Sequence, residues 1–201
     1  MAKSTNANRR FNFDNVKVLA VDENQAGLDI LSQILTGFGV RKLHAVNSVD
    51  EARQLAETLD FELVIVEQEM AEDKGIDFIK WLRRLDPKKA TASAPVVVAM
   101  GHTTQSGVIK MRDCGANFVV QKPLSPTALL QRIVRAVDDP RPFVTCDVYA
   151  GPDRRFKYEG PPPGSDGRRA DDMGVTVGEP SGKNLDQDDI NSLLKPRKVQ
   201  L

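Results

Sequence analysis

Five short runs of β-branched and aliphatic residues, VKVLAV (16–21), RKLHAV (41–46), ELVIVE (62–67), VVVAM (96–100) and ANFVVQ (116–121), alternate with segments of helical periodicity. Nearly continuous apolar strands cannot present a face to water, and strands separated by a helix pair in parallel through crossovers. The pattern predicts five βα units: a parallel sheet covered on both faces. The first helix places Leu28, Ile30, Leu31, Ile34 and Leu35 on its inner side and closes near Gly37 and Gly39. Ser48 begins a capping box with Glu51 and opens a helix through Leu59. Ile76, Phe78, Ile79, Trp81 and Leu82 mark the third helix, and Val108, Ile109 and Met111 the fourth. Ser125 and Pro126 cap and start a last helix reaching about Val137.

Composition changes along the chain. Residues 1–140 hold 12 Pro and Gly, whereas the 61 residues of 141–201 hold 14, with 10 basic and 10 acidic side chains. Stretches such as GPPPGSDG continue neither a helix nor a sheet. The expected organisation is a disordered N-terminus over 1–12, a globular domain over 13–140, and a mostly disordered tail over 141–201 with a short amphipathic helix at about 186–195. Lys and Arg number 28, as do Asp and Glu. That balance argues against a dedicated duplex nucleic-acid binder and a polybasic membrane anchor. No run of 18 apolar residues occurs and MAKSTNANRR has no apolar core, so the reading is of a soluble, cytoplasmic protein. Cys114 and Cys146 match neither a disulfide framework nor a zinc spacing.

Sheets of this kind carry their sites at the C-terminal ends of the strands. There the chain places Asp22 and Glu23 after strand one, Glu67 at the end of strand three, Met100, Gly101 and His102 at strand four, and Lys122 before Pro123 at strand five. Three carboxylates and one ammonium sum to −2, which is costly to hold away from water unless a cation binds or a carboxyl takes a proton. Mg²⁺ held by oxygen ligands would answer that charge. Solvated strand-end charges would give the same spacing. His102 reads as a loop histidine.

These residues resemble the receiver domain of two-component response regulators, over 16–137. An acidic pair (Asp22, Glu23) closes strand one. Glu67 closes strand three 44 residues after Glu23, Met70 and Gly75 follow, and Lys122-Pro123 closes strand five. The resemblance implies a flavodoxin-like (βα)5 fold and a Mg²⁺ site made by Asp22, Glu23, Glu67 and the main-chain carbonyl of Glu69. It also makes Glu67 the phosphoacceptor equivalent and Met100, Val119 and Lys122 the switch equivalents. Here the chain departs from the family, which normally has an aspartate acceptor, a Ser/Thr hydroxyl and an aromatic switch. Glu67 is one methylene too long, roughly 1.5 Å of bond. Met100 offers only a weak thioether acceptor, and Phe118 lies one place from Val119, on the opposite strand face. Ala71 replaces the family's proline after Met70. Glu69, Glu72, Asp73 and Asp77 are alternative carboxylates, but the spacing and Gly75 fix the register on Glu67. The expectation is a receiver not phosphorylated at Glu67, with Glu67 mimicking the charged state or pairing with Lys122, and with weak Mg²⁺ binding.

Two features lie in the tail. GPDRR (151–155) and GSDGRR (164–169) repeat a turn followed by an arginine pair, Arg154-Arg155 and Arg168-Arg169, with Tyr149, Phe156 and Tyr158 around the first. Arginine forks and aromatic platforms suit an anionic ligand such as a cyclic dinucleotide, and a charge-balanced linker has the same composition. LDQDDINSLLKP (185–196) sets Ile190, Leu193 and Leu194 on one stripe behind acidic N-terminal residues. Alone it is too short to be a stable helix. It is similar to the N-terminal segment of the flagellar motor switch protein that docks on a chemotaxis receiver. The tail would then cover the last-helix face of its own receiver or present itself to another.

The leading expectation is a stand-alone pseudo-receiver acting as a signalling adaptor, with no catalytic activity of its own. Its partners would be a histidine kinase or another receiver or motor component, with nucleic acid and membrane insertion disfavoured. A phosphorylatable, motility-linked regulator is the alternative. A flavodoxin-like enzyme is disfavoured because the loops after the strands lack a Ser/Thr/Gly-rich phosphate cradle.

Overall fold

Strands β1 (Lys17–Val21), β2 (Lys42–Val46), β3 (Leu63–Glu67), β4 (Val96–Met100) and β5 (Phe118–Gln121) form one sheet in the order β2-β1-β3-β4-β5, every pair parallel. This computed structural model describes residues 11–70, 74–154 and Gln187. Helices α1 (Gln25–Gly37), α2 (Val49–Thr58), α3 (Lys74–Leu82), α5 (Gln105–Asp113) and α6 (Pro126–Val137) make the crossovers, with a four-residue α4 (Ala90–Ser93) ahead of β4. Strand alternation divides the core into two layers. Leu19, Val21, Val64, Val66, Val98 and Val119 face Phe78, Ile79, Leu82, Val108 and Met111 of α3 and α5. Val18, Ala20, Ile65, Val97 and Val120 face Leu28, Leu31, Leu35, Leu129 and Ile133 of α1 and α6. Each fully buried Val, Leu or Ile stabilises the fold by about 1.5–3 kcal/mol relative to exposure.

The helix starts follow the sequence signals. Ser48 Oγ accepts from the Glu51 N–H at 3.1 Å, and Ser125 Oγ from the Ala128 N–H at 3.2 Å with Pro126 in the first turn. Asn24 and Thr104 cap α1 and α5 in the same way. Ile30 is a correction: it is 52% exposed, because Leu28, Leu31 and Leu35 already fill the inner face of α1. No helix among the described residues is long and apolar enough to cross a membrane.

The expected domain limits also need correction at both ends. Phe13 is buried, and the Phe11 ring stacks on it at 6.4 Å, so the folded unit begins before 13. At the other end, β6 (Phe143–Cys146) and β7 (Tyr149–Pro152) form an antiparallel hairpin that packs on the body. Arg84 Nη2 donates to the Asp147 carbonyl at 2.8 Å, and the Arg83 guanidinium lies over the Phe143 ring at 5.6 Å. Arg141 donates to Asp139 at 2.8 Å and to the Asn117 carbonyl at 3.0 Å. Gly151, one of the glycines that made this stretch read as tail, is what lets it pack: at φ +153° a Cβ there would lie 2.8 Å from the Gly115 Cα. Gly115 has φ +102°, and a Cβ there would lie 2.6 Å from the Ala150 carbonyl oxygen. The remainder of the expected tail lies outside the described residues apart from Gln187.

Candidate functional site

The order β2-β1-β3-β4-β5 reverses between β1 and β3, and the loops leaving those strands part there to open a crevice at their C-terminal ends. Asp22 follows β1, Glu67 ends β3 and Lys122 follows β5. Asp22 and Glu67 are only 3% and 4% exposed, although both are acidic. Lys122 Nζ lies 3.0 Å from Asp22 Oδ2 and also pairs with Glu67 Oε2. The second oxygen of each carboxylate is held by backbone: Asn24 N–H donates to Asp22 Oδ1 at 2.9 Å, and Glu69 N–H to Glu67 Oε1 at 3.1 Å. Asp22 also needs the glycine at 27, where a Cβ would come within 2.5 Å of Oδ2.

Burial and partners set the charge states. Removal from water raises the Glu67 carboxyl above its ordinary 4.5, and Lys122 and the Glu69 N–H offset only part of that. Burial alone would lower the Lys122 ammonium. Glu67 and Asp22 outweigh it and raise the group instead. The triad thus holds one cation between two anions, and the extra methylene of Glu67 brings its carboxylate to Lys122.

The remaining sequence-predicted residues divide. Glu23 and Glu69 are exposed, and the Glu69 carboxylate lies over Gly101, whose missing Cβ leaves it room at 3.1 Å. Met100 and Val119 are buried in the core layer beneath α5, the Met100 methyl resting near Gly107. Neither presents a polar group to the crevice, so of the three switch equivalents only Lys122 reaches it. Arg154 belongs to the hairpin: it stacks on Tyr149 at 4.2 Å and pairs with Asp113 at 3.2 Å. Arg155, Arg168, Arg169, Ile190, Leu193 and Leu194 lie outside the described residues.

Two polar residues escaped the sequence reading. Arg83, 3% exposed on the turn after α3, donates to the carbonyls of Gly115 (2.8 Å), Ala92 (3.0 Å) and Ala94 (2.6 Å) and to Asn117 Oδ1 (2.8 Å). Burial lowers this guanidinium to about 10. Asn117 also accepts from the Val96 N–H at 2.9 Å, tying β4 to β5. No periodicity distinguishes such an arginine from a solvated one.

Residues 18–134 match the family model described as the response regulator receiver domain. The chain belongs to that family. This receiver is 26% identical over 142 residues to the transcriptional regulatory protein ZraR of Escherichia coli (strain K12), covering 68% of this chain and 31% of that protein. It is 30% identical over 112 residues to protein-glutamate methylesterase/protein-glutamine glutaminase 2 of Burkholderia thailandensis, covering 54% and 30%. Its fold is similar to that of the Vibrio cholerae chemotaxis protein CheY4, with TM-score 0.55 and 24% identity over 60% of this chain and 98% of that one. The chain spans less than a third of the length of these two curated relatives.

Receivers typically bind Mg²⁺ at the phosphorylation site, but the carboxylates here do not gather as a ligand set. Asp22 and Glu67 share Lys122, and Glu23 is exposed. Among the described residues no group of three His, Cys, Asp or Glu side chains is arranged to hold an ion.

Proposed function

We propose that this receiver works as a signalling adaptor through protein–protein contacts and is not phosphorylated at Glu67. One observation carries the reading: the carboxylate at the acceptor position is buried and paired with Lys122, the cation that would otherwise meet an incoming phosphoryl group. A glutamate in this pairing fixes the charge of the crevice independently of a phosphodonor. Met100 adds to it, since a buried thioether gives a phosphoryl oxygen no hydroxyl to bond. The partners proposed are a histidine kinase or another receiver or motor component, met in the cytoplasm, and Mg²⁺ affinity is weak.

Incubation of the full chain with acetyl phosphate and Mg²⁺ tests this. Wild type is expected to stay unmodified by intact mass. Glu67→Asp, which shortens the side chain and leaves Lys122 held by Asp22 alone, is expected to gain an acid-labile phosphoryl group. Stoichiometric labelling of the wild type would refute the proposal in favour of a phosphorylatable regulator. A cyclic dinucleotide at Arg154, Arg155, Arg168 and Arg169 has less support, because Arg154 is already committed to Asp113 and Tyr149.

A further inference from the structure

Among the described strands, β5 has only β4 as a neighbour, so its other side is a sheet edge. Such an edge offers unpaired N–H and C=O groups to any chain that can add to it. Lys122 N–H turns inward and donates to the Met100 carbonyl at 2.8 Å. Gln121, one residue earlier, therefore points its N–H outward, with the Val119 carbonyl on the same side. Both outward groups are met by one side chain from far along the sequence. Gln121 N–H donates to Gln187 Oε1 at 2.9 Å, and Gln187 Nε2 donates to the Val119 carbonyl at 3.4 Å.

That pattern has a specific meaning. In a parallel ladder, one residue of the added strand donates to the carbonyl of residue i and accepts from the N–H of residue i+2. The primary amide of glutamine carries a donor and an acceptor on one planar group, so Gln187 stands in for one residue of a sixth strand.

We propose that Gln187 is a tethered occupant of its own receiver's β5 edge, covering the Gln121 N–H and the Val119 carbonyl until a partner displaces it. The inference does not depend on whether Glu67 accepts a phosphoryl group. It accounts for Gln187 in the LDQDDINSLL segment, which the apolar stripe of Ile190, Leu193 and Leu194 leaves without a role. A partner reaching this edge competes with a group held at high local concentration, so its affinity is set partly by the tail.

Amide hydrogen exchange on the full chain, resolved by residue, tests the proposal. In the wild type the Gln121 amide is expected to be protected to the same degree at every protein concentration. Gln187→Ala and Gln187→Met, the second keeping the length but losing both the acceptor and the donor, are expected to speed exchange at Gln121 by roughly threefold to tenfold, the loss of one ordinary hydrogen bond. Lys122, bonded to Met100, serves as the internal reference and should not change. Unchanged exchange at Gln121 in both variants would overturn the proposal, and so would equal acceleration at Gln121 and Lys122, which would mark general loosening. Protection that grows with protein concentration would assign the edge to a second copy and overturn the tethered occupant.

Discussion

Lys122 is shared by two buried carboxylates, and the acid–base behaviour of the molecule follows from that. Because the folded Glu67 carboxyl titrates above 4.5, the native state holds its proton longer than the unfolded chain does. Its contribution is most favourable below 4.5 and diminishes as pH rises through the raised value. Lys122 has the complementary window: its stabilisation is complete below 10.5 and is lost as pH rises through its raised value. Glu67→Gln should therefore flatten the stability–pH curve on the acid side, read as urea midpoints across the acid-to-neutral range, and weaken the alkaline loss. Arg83 predicts a larger effect. Arg83→Leu would leave three carbonyls and Asn117 Oδ1 without this donor, so unfolding free energy should fall by about 3 kcal/mol in urea titration. The two sites differ in how legible they were. Asp22, Glu67 and Lys122 could be found because topology places strand ends together, whereas the partners of Arg83 are backbone carbonyls from α4 and the loop before β5, which no residue pattern records.

The elements read most clearly from sequence were those with their own local chemistry. Ser48, Ser125 and Pro126 start helices through hydrogen bonds and a preset φ, so their neighbours suffice to find them. The hairpin β6–β7 was missed for the opposite reason. Its strands are short, and its glycines read as breakers until the surface they approach is known. Tyr149 and Ala150 become buried only against Gly115, Arg83 and Asp113, all of them more than 30 residues away in sequence. Gly115→Ala tests that contact. A side chain would be strained at φ +102° and would collide with the Ala150 carbonyl, so we expect a loss of about 2 kcal/mol by thermal or urea unfolding. Arg154→Ala should cost less, because its pairing with Asp113 is partly exposed.

At the scale of the molecule, the two ends of β5 are treated differently. Its C-terminal end meets the charged triad and the amide of Gln187, while Gly115, just before its N-terminal end, is covered by the hairpin. The family match stops at 134 and the composition change falls near 140, yet Arg141, Phe143 and Tyr149 rest on residues inside those limits. A fragment ending at 140 is expected to unfold at lower urea than one ending at 154, with the Arg83 and Gly115 surfaces newly wetted. Anyone excising this receiver for fusion to another protein should accordingly place the junction after the hairpin: a cut at the conventional border would remove a cover from the foot of the sheet.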